Sequence, residues 1–393
     1  MILWSLSCAF AQAGGWVARP SGTEAPRTSA ADSVASDTAS GRKSYNPFKW
    51  IGRYLRNTNK HGDRPFDFSM LLGPSYTAAT SAGLGITASG LYSWDRSDPR
   101  LPKSNVSVFG NASLTGMLAV GVRGNNFLPK DRYRLDYQLY FYSFPSDFWG
   151  IGYDNGSMDS HKTSYERVKL QFKPSFLFRL GRHTYLGPVA DVEWVNSFGF
   201  GDDALLEGQD KSVANYGLGV NFTYDTRDFV LNAWSGHYFR LEQMSYPSGF
   251  GNDYAFSYTD LTYSTYHQVW KGGVLALELH SLFNYGDVPW TMMAQVGVGG
   301  GRMRGYYEGR YRDRNIMEGQ LELRQHIKGR NGIALWVGAA NVFPNFGHIY
   351  FDEILPNYGI GYRWEFKKRV NVRLDLGFTK DSPNFAFNIN EAF

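Results

Sequence analysis

Residues Phe385 to Phe393 constrain the fold more than any other stretch of this chain. Phe385, Phe387, Ile389 and Phe393 share one parity, and Ala386, Asn388, Asn390 and Ala392 the other. Side chains alternate across a strand, so this is a ribbon with one apolar face and one small, polar face. The sequence ends on the aromatic Phe393. An aromatic-terminated amphipathic strand is what a bacterial transmembrane β-barrel uses to close its wall and anchor at headgroup level. An edge strand of a soluble sheet would look the same over nine residues, so the remainder of the chain has to decide.

Aromatic residues make up 17% of the sequence and Gly contributes 44 residues, yet mean hydropathy is only -0.37. A barrel with lipid outside and water inside is aromatic and polar at once. After the N-terminus no window approaches eighteen uncharged apolar residues, which excludes a helical membrane protein. The net charge of +4 argues against a nucleic-acid partner. The single cysteine, Cys8, lies in the leader region, so a mature chain forms no internal disulfide.

Residues 1–13 read as a signal peptide: Ile2 to Phe10 is apolar and runs into the small-x-small site Ala11-Gln12-Ala13. The usual basic n-region is missing, so the true start is expected several residues upstream. Residues 14–65 read as a linker. Gly14 to about Ser44 has almost no large apolar residues and cannot bury enough surface to fold. A short basic amphipathic segment, residues 46–56, follows; lying on the membrane surface, sitting in a barrel mouth and remaining unstructured are all compatible with it.

From 66 to 393 the expectation is a single all-β domain, a transmembrane antiparallel β-barrel of about sixteen strands. Strands are expected at 66–74, 83–95, 103–112, 116–126, 131–144, 163–180, 184–198 and 212–226. Others are expected at 236–247, 253–269, 273–285, 315–328, 332–342, 356–366, 369–379 and 384–393. Arg134 to Phe141 and Val370 to Leu376 alternate cleanly, with charge at every second position. Such charges are costly unless they face a wet lumen. Connections alternate between tight (181–183, 270–272, 329–331, 367–368) and long (145–162, 199–211, 286–314, 343–355). Outer-membrane barrels keep short turns periplasmic, so the rhythm predicts a periplasmic N-terminus.

The longest connection carries the most specific motif, Gly299-Gly300-Gly301-Arg302-Met303-Arg304-Gly305-Tyr306. Glycines let the backbone fold back tightly, and Arg304 can contact carboxylates bidentately. A phosphate loop would need a strand–loop–helix context and a following Lys-Ser/Thr, and both are lacking. This region, followed by Leu321-Glu322-Leu323-Arg324, resembles the sixth-loop region of the BamA/TamA superfamily of outer-membrane barrels, the bacterial surface antigens. Tyr224-Asp225-Thr226-Arg227-Asp228, Gly359 to Trp364 and Arg373 to Gly377 resemble further motifs of that family, in its order, and the Phe385–Phe393 terminus, with Phe385, Phe387, Ile389 and Phe393, resembles its terminal insertion signal.

The resemblance implies a loop folded into the lumen, where Arg304, with Gly305 and Tyr306 beside it, grips the next two strands. Glu322 matches the acidic partner and Trp336 the aromatic one. Where the family usually has Asp this chain has Gly338, so Glu318, Glu365 and Asp375 are the candidate compensating acids. The chain also lacks room before Pro65 for a periplasmic POTRA domain, so it resembles barrel-only members. The expected function is insertion or translocation of client outer-membrane or surface proteins, with recruitment left to a separate periplasmic partner. The seam between a short first strand, Phe66 to Gly73, and the last strand would open laterally. The alternative is a passive pore, lined by inward residues such as Arg134, Asp136, Lys169, Lys173, Glu278, His280 and Arg373. An enzyme is not expected: His267, His280 and His326 have no recognisable nucleophile beside them. No cofactor or metal site is expected.

Overall fold

The computed structural model describes residues 66–393 except 78–80, 99–100, 102 and 382. The expected leader, linker and amphipathic segment therefore lie outside the described residues. The wall begins with β1 (Phe66–Thr77), β2 (Ser81–Tyr92), β3 (Ser104–Ser113), β4 (Leu118–Phe127), β5 (Tyr133–Phe148) and β6 (Thr163–Gly181). It continues through β7 (Thr184–Phe198), β8 (Ser212–Asp225), β9 (Gly236–Tyr246), β10 (Phe256–Trp270) and β11 (Gly273–Gly286). A two-residue pair, β12 (Ala294–Gln295) with β13 (Arg312–Asp313), then interrupts the series. The wall resumes with β14 (Asn315–Lys328), β15 (Asn331–Phe343), β16 (Leu355–Lys367), β17 (Val370–Thr379) and β18 (Asn384–Ile389).

All strands except β12 and β13 form one 16-stranded sheet in which each pairs antiparallel with its sequence neighbours. This is an all-β outer-membrane-type barrel. Its two end strands, β1 and β18, come within 8 Å of each other. Among the described residues no backbone ladder joins them.

The alternation in the sequence is realised as an outside and an inside. Leu139, Phe141, Leu170, Phe172, Val192, Trp194, Leu218 and Val220 are exposed on the outer face. The opposite parity is buried and polar: Gln171 donates to Asp191 at 3.0 Å, Tyr246 donates to the same carboxylate at 2.8 Å, and Lys173 and Arg240 both reach Glu242 at 2.5 Å. Lys169 pairs with Glu193 in the same way. Charges placed in the lumen find partners on their own strand, on the next one (Lys169 with Glu193) or on strands further round the wall (Lys173 of β6 with Glu242 of β9), which offsets their removal from bulk water.

Two expectations about the ends of the wall are corrected. The first strand is not short: β1 spans 12 residues and stays in register with β2 straight through Pro74. A proline at a sheet edge costs a ladder bond only if its missing N–H faces the partner strand. The last strand does not run to Phe393. It stops at Ile389, six residues long, because Asn390 takes φ 70 and turns the chain inward. Phe385 keeps the expected outward parity and exposure. Phe387 is buried. Phe393 is not a lipid-facing anchor. It packs against the ring of Tyr266, 6.1 Å between centroids, beside Ala233 and Ala276.

Candidate functional site

The connection from β11 to β14 folds back through the lumen and lies on β14 to β18. Its two arms are held together by the β12–β13 pair, and its tip turns on Gly297, Gly299, Gly300 and Gly305, all with positive φ. Two glycines permit the closest approach. A Cβ on Gly377 of β17 would sit 2.2 Å from the carbonyl oxygen of Arg304, and one on Gly305 would sit 3.0 Å from the carbonyl of Gly377. Loop backbone and wall backbone therefore touch directly, which no side chain would allow.

Hydrogen bonds fix the tip along several strands. Gln320 donates to Gly301 O at 3.2 Å, Arg373 to Gly300 O at 3.1 Å and Tyr306 Oη to Pro356 O at 2.8 Å. Asn357 donates to Arg304 O and Asn384 to Gly305 O. Met303, Tyr306 and Tyr311 bury their side chains against Ile316, Ala340, Val342 and Leu355 of the wall. Burial pushes the Tyr306 phenol above its ordinary pKa. Where the loop re-enters the wall, burial pushes Asp313 up to about 6, and Glu353 and Glu207 add to the shift against the opposing Arg314.

Arg304 is 2% exposed. Its Nη1 lies 2.6 Å from Glu322 and 3.2 Å from Asp375, and its guanidinium stacks 3.7 Å over the Trp336 ring centroid. Gly359, in register with Trp336, leaves the space that ring occupies. The structure thus brings together Arg304, Gly305, Tyr306, Glu322, Trp336 and Asp375. The other two candidate acids are corrected. Glu318 faces His280 at 2.7 Å and Arg302 at 3.9 Å. Glu365 accepts the Arg369 N–H at 2.9 Å in the β16–β17 turn. Neither reaches Arg304, because each lies too far along its strand from the level of Glu322.

The network is larger than the loop and one acid. Arg363 bridges Asp375 (2.6 Å), Glu391 (2.8 Å) and Glu322 (3.5 Å). Arg324 takes Glu322 at 2.6 Å and Glu391 at 3.7 Å, and Arg373 takes Asp375 at 3.2 Å. Sequence reasoning missed Arg324, Arg363 and Glu391 as members. The inward parity of Arg324 and Arg363 was a signal for two of them; Glu391 was hidden by the assumption that its strand continued. A second arm of the loop, Arg302, reaches Glu278 at 2.9 Å and Thr262 at 3.4 Å on the opposite side of the tip. Among the described residues no group of His, Cys, Asp and Glu is placed to hold a metal ion. What this arrangement does chemically is mechanical: it clamps a loop against five consecutive wall strands.

In fold, the chain is similar to BamA from Haemophilus ducreyi lacking POTRA domains 1–3, with a TM-score of 0.56 at 12% identity over 82% of this chain and 70% of that one. It is also similar to CdiB from Escherichia coli, with a TM-score of 0.54 at 11% identity over 88% of this chain and 70% of that one. CdiB from Acinetobacter baumannii gives 0.51 at 14% identity, over 84% of this chain and 60% of that one. The chain thus spans only about three fifths of that last protein's length. No curated protein sequence matches. Residues 119–393 match the Omp85 superfamily domain, which takes in β5 to β18 and every member of the loop network, and the chain belongs to the Omp85 superfamily.

Proposed function

We propose that this barrel assists the insertion or translocation of outer-membrane or surface proteins, and that the gap between β1 and β18 is where a client strand enters. One observation carries the reading: β1 offers 12 residues of edge and β18 only six, with no ladder between them among the described residues. Each missing hydrogen bond removes roughly 0.5–1.5 kcal/mol from closure. An unsatisfied edge is a template for β-augmentation by an incoming strand. The reading sets the short turns, and with them the N-terminal end of β1, on the periplasmic side. Client outer-membrane proteins, the surrounding lipid and a separate periplasmic protein that delivers clients are the partners. No nucleotide or cofactor enters it, and binding and strand exchange replace catalysis. The passive-pore alternative is weakened by the loop, whose buried contacts with β14 to β18 occupy lumen space.

The test is one cysteine in β1 and one in β18, with Cys8 replaced, in cells that depend on the protein. Growth and outer-membrane assembly should fail when the pair is oxidised and recover with reductant. Full function with the seam locked would end the insertase reading, and single-channel conductance would then test the pore.

A further inference from the structure

The tight turns at one rim of the barrel hold the cations Arg182, Lys271, Arg330 and Lys368, whereas the loops 149–162 and 199–211 at the other hold Asp154, Asp159, Asp202, Asp203, Glu207 and Asp210 against Lys162 and Lys211. At one place on the basic rim the wall opens a cleft of about 480 Å³ between the β4–β5 turn and the end of β6. It is lined by Lys130, Arg132 and Arg179 above Tyr133, Phe178 and Leu180.

The local chemistry leaves these cations exposed at the rim. Lys130 and Asp131 both adopt positive φ, 63 and 51, a conformation non-glycine residues adopt rarely, and here two occur in succession. The turn this makes sends Asp131 inward. There Arg134 holds it through two bonds of 3.0 Å, and Tyr185 donates to it as well. Asp131 is thereby used up. The backbone N–H of Arg179 donates to Arg132 O at 2.9 Å, and its guanidinium donates only to backbone carbonyls, Nη1 to Lys130 O at 3.3 Å and Nε to Gly181 O at 3.2 Å. Among the described residues none of the three cations has a carboxylate ion-pair partner. Asp95, the acid that feels Lys130, spends one oxygen on Ser97 at 2.6 and 2.9 Å.

Directly below, on the outer face, Tyr133 stacks on Phe176 at 5.8 Å and meets Phe178 edge-on at 5.7 Å. Leu180 is 62% exposed. Aromatics at this level mark the interface between headgroups and hydrocarbon. Unpaired cations immediately beyond them stand where a lipid phosphate sits.

From this we infer a binding site for an anionic glycerophospholipid, its phosphate held by Lys130, Arg132 and Arg179 and its acyl chains lying on Tyr133, Phe176, Phe178 and Leu180. The leaflet it draws from follows the orientation proposed above; the binding itself does not depend on that orientation. A lipid site beside β5 and β6 also lies well away from the seam strands, so it stands or falls separately from lateral opening.

The test uses the full chain in detergent with equal amounts of phosphatidylglycerol and phosphatidylcholine, retained lipid being read by native mass spectrometry. The variant is Lys130→Gln/Arg132→Gln/Arg179→Gln, with Lys211→Gln on the long-loop rim as a charge control and gel heat-modifiability as the check of folding. Each cation near an anionic headgroup contributes roughly fivefold, so the preference for phosphatidylglycerol should fall at least about tenfold in the triple variant and stay unchanged in the control. Equal retention of both lipids by the unaltered protein, or a preference that survives the triple substitution, would overturn the site. Displacement of phosphatidylglycerol by millimolar inorganic phosphate would overturn the lipid as its ligand and leave a free-anion site.

Discussion

Glu322 touches three guanidinium groups, those of Arg304, Arg324 and Arg363, and this makes the two ends of the loop contact unequal. Replacing Arg304 by Gln leaves three arginines facing Glu322, Asp375 and Glu391. Replacing Glu322 by Gln leaves four buried arginines facing two carboxylates. Unpaired buried charge is what makes breaking such a network expensive, at about 3–5 kcal/mol. Glu322→Gln should therefore lower the heat-modifiability midpoint more than Arg304→Gln, and the reverse order would show that the loop, not the charge balance, sets the stability. Asp313 supplies the pH dependence. Its folded pKa of about 6 lies above the ordinary 3.8, so its contribution to loop packing is complete below pH ~4 and is lost as pH rises through 6. Amide protection across residues 294–313, corrected for intrinsic exchange, should fall between pH 4 and 7, and Asp313→Asn should abolish the step.

At the scale of elements, the end of β18 is held by residues beyond it. Glu391 pairs with Arg363 and accepts from Asn371 at 2.6 Å, while its N–H donates to Leu231 O in the β8–β9 connection at 3.3 Å. That connection also meets the β16–β17 turn, where Arg369 reaches Asp228 at 2.8 Å and Asn232 O at 2.6 Å. The short seam strand is thus moored across the mouth of the barrel. Bonds to a charged group contribute about 1.5–3 kcal/mol, so Glu391→Gln should raise amide exchange in β18 by about tenfold or more. The β14–β15 hairpin should not change; equal change in both would mean global loosening. The mooring was illegible in the sequence for a physical reason. Period-two alternation, clean in Arg134 to Phe141 and Val370 to Leu376, reports only which face a residue takes within its own strand. The turn at Asn390, the passage of β1 through Pro74 and the choice of Asp375 over Glu318 and Glu365 depend on contacts between segments far apart in the chain. The Arg304–Glu322 contact was legible only through the family resemblance.

At the scale of the whole molecule, wall and loop are stabilised by different means. The wall is a series of hairpins between sequence neighbours, each satisfied by its own ladder. The loop is held by contacts with strands that follow it, and its closest approach is backbone on backbone at Gly305 and Gly377. Gly377→Val separates the two. Valine suits a strand interior, so the ladders to β16 and β18 can persist, yet its Cβ would meet the Arg304 carbonyl at 2.2 Å. The loop must then leave its seat, taking Arg304 from Glu322 and Asp375 and vacating the lumen beside β14 to β18. The expected result is a barrel that still migrates as folded on an unheated gel but shows a larger single-channel conductance than the unaltered protein. Unchanged conductance with a folded wall would mean that the seated loop does not limit passage. Loss of the folded band would mean that the wall itself depends on the loop, and that the two are one cooperative unit.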